Sequence, residues 1–271
     1  MKPWQKAVKY AAMALAVCLI VSIIGGILSC GGSVSCGGNV TCGGEDVVGE
    51  KKEYTIESKP TSLEIEIKAA RLTIQSGDEF YVESNYKYLT VEEKANVLCI
   101  GDTKKSVGAI RGNPMVTLYV PTGTVFDDVA LTTAAGTVEV ETFAAKTVAM
   151  KFGAGDVLLK NITVEDYISI EGGAGELSIE NGNMHSLELK MGVGELRLRS
   201  KLTGSSVLNM GVGESNVTLL GSSKDYSVRI EKGIGEAKIE GITAVDGMIF
   251  GTGASKVKID GGIGSIQVRF D

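Results

Sequence analysis

A glycine motif that returns every 18 to 22 residues constrains the fold of this chain more than any other feature. The second glycine of the motif is found at seven positions: Gly136, Gly155, Gly175, Gly194, Gly213, Gly235 and Gly253. A sustained period near 20 residues is typical of a solenoid, in which each repeat forms one coil and packs on its neighbours. We therefore predict that these glycines form the corners of successive coils.

Runs of alternating apolar and polar residues lie on both sides of the motif. Residues 176–180 and 195–199 alternate after it, and residues 167–171 alternate before it. Such alternation gives a strand one buried and one solvated face. The sequence therefore predicts an all-β domain, a single parallel β-solenoid with about 20 residues per coil and a narrow apolar core.

The N-terminal region contains an uncharged, strongly apolar run at residues 10–28. At about 1.5 Å per residue, a helix of this length matches the hydrocarbon thickness of a bilayer. Lys2, Lys6 and Lys9 precede the run, and the next basic residue is Lys51. This asymmetry predicts one transmembrane helix with a cytoplasmic N-terminus and an extracellular C-terminal domain.

Other interpretations of this region remain open. A buried core helix would normally have a polar face, and a cleaved signal peptide would normally have a shorter apolar run. Residues 27–30 resemble a bacterial lipobox, which makes Cys30 a candidate for lipidation. With either a helix or a lipid as anchor, the chain after about residue 45 is expected outside the cell and tethered to the membrane.

A linker rich in cysteine and glycine follows, with Cys30, Cys36 and Cys42 each preceding two glycines. Its composition predicts a flexible tether, whose cysteines could take lipid, form disulfides, bind metal or have no special role. The spacing of six residues differs from that of zinc sites. The predicted organisation is a cytoplasmic tip and transmembrane segment at 1–29, a linker at 30–52 and an extracellular solenoid at 53–271.

The charge balance excludes some classes of partner. The chain has 27 basic and 33 acidic residues, and without the three lysines before residue 45 the net charge is −9. Nucleic-acid binding needs a basic surface and is not expected. An acidic surface also disfavours anionic polymers and lipid head groups, which leaves a protein or a neutral glycan as the expected partner.

Acidic residues follow the second glycine in five repeats, at Asp156, Glu176, Glu195, Glu214 and Glu236. Stacked coils would place these carboxylates in a row about 5 Å apart, which could bind calcium or act as acid and base. Calcium-binding β-rolls need a further Asp that these repeats lack, so solvated charges are the favoured interpretation. We predict no metal and no cofactor.

Catalysis is also not expected from the residues available. His185 is the only histidine and lies in a predicted turn, so histidine-dependent catalysis would depend on it alone. Parallel β-helices include carbohydrate-active enzymes, but their sites need a cleft built by long loops. The loops predicted here are mostly short. We therefore predict no enzyme and no catalytic residue.

Residues 74–78, residues 120–127 and the repeats at 153–156 and 173–176 carry a family resemblance. In these segments the chain resembles the bacterial putative-adhesin family of β-strand-repeat domains of unknown function. The resemblance covers residues 53–271. It implies a β-solenoid on the bacterial surface, often behind a single membrane segment, and it brings no catalytic residues.

Three functions are considered on this basis. The first is a non-enzymatic, membrane-anchored cell-surface module that is adhesin-like or associated with the envelope. The second is a sensor or regulatory subunit that binds a membrane protein of an envelope-stress system. A carbohydrate-active enzyme is the third and least favoured.

Overall fold

The computed structural model describes residues 45–103 and 110–271, and every regular element in these ranges is a β-strand. The strands are β1 (Glu45–Asp46), β2 (Val48–Thr55), β3 (Ser62–Gly77), β4 (Tyr81–Tyr86), β5 (Leu89–Lys94), β6 (Val97–Asp102), β7 (Ile110–Arg111), β8 (Met115–Pro121), β9 (Phe126–Val140), β10 (Phe143–Lys160), β11 (Ile162–His185), β12 (Leu187–Thr203), β13 (Ser205–Leu219), β14 (Tyr226–Glu231), β15 (Ile234–Ile239), β16 (Ile242–Thr243), β17 (Met248–Phe250) and β18 (Ser255–Phe270). The prediction of an all-β domain is confirmed for these ranges.

The predicted transmembrane segment, Cys30 and the other linker cysteines lie outside the described residues. Among the described residues, no helix is long and apolar enough to cross a membrane.

The centre of the domain is a stack of parallel coils. Strands β9 to β13 pair side by side in chain order, and β3 pairs with the free side of β9. Each long strand bends at its glycine motif and buries alternate residues on both arms. In β11, Ile168 and Ile170 precede the bend, Leu177 and Ile179 follow it, and none is more than 2% exposed. Equivalent positions in successive coils form the core.

Residues with left-handed backbone close the other turns of the coils. Asn161 and Asn181 follow the second arm with φ of 46° and 54°, and Ser186 precedes the next first arm with φ of 53°. Asparagine tolerates this conformation better than most residues do. Between the turns at Asn181 and Ser186, residues 182–185 form a short third run of the coil, after its two arms. Met184 in this run is 1% exposed.

The N-terminal end of the stack departs from the predicted parallel solenoid. Beyond β3 lie β6 and β8, still parallel, but β5 pairs with β6, and β4 with β8, in antiparallel fashion. Strand β2 then pairs antiparallel with β4. Antiparallel strands here cover an edge that would otherwise expose unpaired backbone groups. Strands β1 and β2 begin before residue 53, within the predicted linker.

At the C-terminal end of the stack, the spatial order of the coils differs from their predicted order along the chain. Strand β18 lies between β13 and the coil formed by β14 and β15, although it follows both in the chain. Short antiparallel pairings with β17 and β16 cover the outer edge. Val257, Ile259, Ile266 and Val268 of β18 are at most 6% exposed, so this insertion continues the core columns.

A partly buried ion pair joins β3 to β6 near the N-terminal end, with the Lys68 side chain 28% exposed. The Asp102 side chain is fully buried and lies 3.0 Å from Nζ of Lys68. It also accepts a hydrogen bond of 2.7 Å from the backbone N–H of Lys68. Burial, together with the charge of Asp102, raises the pKa of Tyr86 to about 12.

Candidate binding surface at the glycine corner

The glycine corners form one continuous column along the stack. Its members, in spatial order, are Gly136, Gly155, Gly175, Gly194, Gly213, Gly264 and Gly235. Their φ angles lie between 130° and 146°, a region that side chains rarely adopt. A Cβ at any of them would overlap a backbone carbonyl oxygen of the neighbouring coil. The corner therefore requires glycine both for its conformation and for its close packing.

The prediction was wrong at one corner, because the observed column contains Gly264 and not Gly253. Gly253 packs against the backbone of Asp225 and Tyr226, and its N–H donates to the Tyr226 carbonyl at 2.9 Å. The 20-residue period of the glycine motif is interrupted here, because residues 240–254 cover the end of the stack. The chain then re-enters the stack as β18. Residues 262–264 repeat the Gly-Ile-Gly of residues 233–235, a signal that could have located the corner.

The acidic residues after the glycines share one row on the outer surface. Asp156, Glu176, Glu195 and Glu214 are in register in four consecutive coils. Ser265 of the inserted strand follows Glu214, and Glu236 follows Ser265. We call this row the acid ladder. Neighbouring carboxylates lie about one strand spacing apart, near 4.8 Å.

Basic side chains neutralise part of the acid ladder. Arg197 forms ion pairs with both Glu176 and Glu195, the latter at 2.8 Å, and Lys238 lies 3.0 Å from Glu236. Asp156 and Glu214 have no ion pair within the described residues. In residues 45–103 and 110–271, no group of three or more His, Cys, Asp or Glu side chains is placed to hold a metal ion.

An apolar row runs beside the acid ladder, formed by the residue before each glycine of the column and, in β3, by Ala69, which precedes Ala70 at the position in register with Gly136. In spatial order it comprises Ala69, Ala135, Ala154, Ala174, Val193, Val212, Ile263 and Ile234. We call it the corner ridge. Its side chains grow from alanine to isoleucine along the stack, and Val193 and Ile234 are 36% and 41% exposed.

Glycines flank most of the corner ridge on both sides, so few neighbouring side chains shield it. In the coil of β12, for example, Val193 lies between Gly192 and Gly194. The sequence pattern predicted the glycines and the acids but not this ridge. The signal was the residue between the glycines, which is apolar in every repeat from 134 to 264 that forms a corner.

The remaining predicted residues lie away from this surface. His185 is at the end of β11, and its Nδ1 is 3.0 Å from Oγ1 of Thr203 in the next coil. Cys99 is half-buried in β6, and burial raises the pKa of its thiol. Its Sγ lies 3.8 Å from the Glu64 carboxylate.

The fold and this corner define a class of protein, the stacked β-strand repeat whose two ends are covered by antiparallel strands. Within that class, residues 60–247 match the Toastrack DUF4097 family, and the chain belongs to that family. The resemblance predicted from the sequence is thereby confirmed. No curated protein matches the chain.

Several solved structures are similar to the chain. A "putative cell adhesion protein" from Clostridium sporogenes has 15% identity and a TM-score of 0.34, covering 82% of this chain and 99% of its own. A "putative adhesin" from Bacteroides fragilis has 13% identity and a TM-score of 0.34, covering 83% and 100%. A "putative lipid binding protein" from Parabacteroides distasonis has 14% identity and a TM-score of 0.44, covering 82% and 98%. Similarity at this level supports no inference about function.

Proposed function

We propose that this chain is a non-enzymatic, membrane-anchored module of the cell surface that binds a protein or a neutral glycan along the corner ridge. The observation that carries the proposal is the ridge itself, a row of apolar side chains in eight stacked strands, all of which except Ala69 are partly or largely exposed to solvent. At one strand spacing per coil it extends over about 34 Å. Contiguous exposed apolar surface of this kind marks interaction sites more often than single exposed residues do.

Charge supports the choice of partner. The acid ladder borders the ridge, and its Asp156 and Glu214 carboxylates have no ion pair within the described residues. The chain from residue 45 onward carries a net charge of −9. A partner lying on the ridge would meet negative potential, so anionic polymers are disfavoured and neutral or basic surfaces are favoured.

The membrane anchor rests on the sequence. The uncharged run at residues 10–28 is long enough to span a bilayer, and Lys2, Lys6 and Lys9 precede it. In this proposal the strand stack lies outside the cell, and the glycine-rich residues 30–44 ahead of β1 connect it to the anchor as a flexible tether. Fractionation of cells and external protease treatment test the anchor. Chain that is recovered in the soluble fraction, or protected from protease in intact cells, would contradict it.

The binding surface is tested by photo-crosslinking of the full chain in living cells. A crosslinking amino acid replaces Val193 or Ile234 on the ridge, and Thr163, an exposed residue at the start of β11, serves as the matched control. We expect a discrete protein adduct, or retention on an array of neutral glycans, that depends on the ridge positions. Equal adducts at Thr163, or neither adduct nor glycan retention, would overturn the proposal.

A further inference from the structure

A hollow opens where the third run of the coils comes to an end. The backbone N–H of Leu220 donates to the Ser200 carbonyl at 2.9 Å, and the chain then turns away at Gly221, where φ is 122°. Beyond Ser200, the described strands provide no parallel partner for Lys201 and Leu202 on this side. The missing layer leaves a space of about 720 Å³. This volume lies within the range of small-ligand sites.

The floor of the hollow is apolar, and the one side-chain hydroxyl buried in it has hydrogen-bond partners. Leu202, Leu220 and Tyr226 line it, and Tyr226 is 1% exposed. The Tyr226 hydroxyl donates to the Leu220 carbonyl at 2.7 Å and accepts from the Leu202 N–H at 3.4 Å. Tyr226 thus bridges the two sides of the gap, and the space above it stays open.

Two exposed lysines, Lys201 and Lys224, also line the hollow. Neither side chain has an ion pair within the described residues. The one carboxylate in the lining, that of Asp225, accepts the Ser222 N–H at 2.8 Å and so stabilises the turn. Two free ammonium groups in one hollow stand out in a domain whose net charge is −9.

We propose that this hollow binds a small polar ligand carrying an anionic group, a carboxylate or a phosphate on a sugar-sized scaffold. Lysine ammonium groups bind both kinds of anion as point charges, and the Ser255 hydroxyl offers a hydrogen bond to a ligand hydroxyl. The site goes beyond the proposed function, because it lies on the third run and not on the corner ridge.

The test is isothermal titration calorimetry on the full chain in detergent, with glucuronate, glucose 6-phosphate, inorganic phosphate and glucose as probes. We expect glucuronate or glucose 6-phosphate to bind and glucose to fail. A preference between the first two identifies the anion. Binding of inorganic phosphate alone would overturn the sugar-sized scaffold, and failure of every anion up to about 10 mM would overturn the site.

Variants link the binding to the hollow. The double variant Lys201→Gln, Lys224→Gln is expected to weaken binding by about tenfold or more while leaving the melting temperature unchanged. Lys52→Gln, Lys59→Gln removes the same charge from exposed positions near the other end and should bind as the wild type does. Equal loss in both double variants would mean a general charge effect and overturn the site. Crosslinking from Val193 should be unaffected in either, which separates this test from that of the ridge.

Discussion

Gly194 stacks on Gly175 of the neighbouring coil so closely that a Cβ at residue 194 would overlap the Gly175 carbonyl oxygen. Each glycine thus makes room for its neighbour's backbone, and the same relationship holds between Gly213 and Gly194. The corner is a property of the column and not of any single turn. A side chain in one coil displaces the backbone of the next, so its cost exceeds the local strain.

This relationship predicts an unequal response to two glycine substitutions. Gly194→Ala combines an unfavourable φ of 138° with a backbone clash, and we expect it to lower the free energy of unfolding by about 3 kcal/mol or more. Gly123→Ala has φ of 85° but open space around the new Cβ, so it should cost only about 1 kcal/mol. Urea unfolding measures both, and equal costs would refute the packing role of the column.

The acid ladder predicts a small, salt-dependent effect at Glu214. Glu214 has no ion pair within the described residues and lies in register with Glu195, so Glu214→Gln should stabilise the fold by about 0.3 kcal/mol. Glu195→Gln removes an ion pair with Arg197 and should be neutral or slightly destabilising. Both effects should shrink in about 1 M salt, because surface charges are then screened. Loss of stability in Glu214→Gln that appears only with calcium would instead indicate a metal site.

The ion pair between Lys68 and the buried Asp102 predicts a larger effect than an exposed pair of similar geometry. Asp102→Ala leaves the Lys68 ammonium and backbone N–H without their acceptor, and we expect a loss of about 3 kcal/mol in unfolding free energy. The control is Asp127→Ala, which removes a 2.6 Å ion pair with Lys146 whose two side chains are about half exposed. That change should cost less than about 1 kcal/mol. Similar losses would argue against a special role for Asp102.

The pKa of Tyr86 predicts a loss of stability at high pH. In the folded protein burial raises this pKa to about 12, whereas the phenol of an unfolded chain titrates near 10. Its contribution to stability is therefore complete below about pH 10 and disappears as the pH rises through 12. Urea unfolding across this window should show a shallower decline for Tyr86→Phe than for the wild type. Parallel declines would show that Tyr86 is not the group responsible.

The position of β18 predicts the outcome of a C-terminal truncation. A chain ending at Ala254 leaves β14 and β15 without their parallel partner and exposes the edge of β13. We expect loss of a single cooperative unfolding transition and binding of a hydrophobic dye. A synthetic peptide of residues 255–271 should restore the transition. A truncated chain that still unfolds cooperatively would contradict the observed strand order.

The sequence predicted the parts of this fold that repeat. Alternation located the arms of the coils, and the glycines located six of the seven corners in the column, since both follow from rules that act within one repeat. The acid ladder followed because equal spacing places Glu176 and Glu195 in register.

The features that the sequence did not predict depend on long-range pairing. Alternation looks the same in parallel and antiparallel strands, so the direction of β4 and β5 could not be inferred from it. The insertion of β18 depends on a partner that is distant in sequence. The hollow arises where the chain leaves the stack at Gly221. A local sequence pattern does not indicate that a neighbouring strand is absent at this point.

The inserted final strand also fixes when the domain can be completed. A ribosome releases the chain in order, and each coil from β9 to β13 can dock on its predecessor as it emerges. The coil of β14 and β15 cannot, because it pairs with β18, which follows it in the chain. Assembly of this coil therefore waits until β18 has been synthesised. During evolution, added repeats are expected ahead of β14, where each new coil can dock directly on the coil before it.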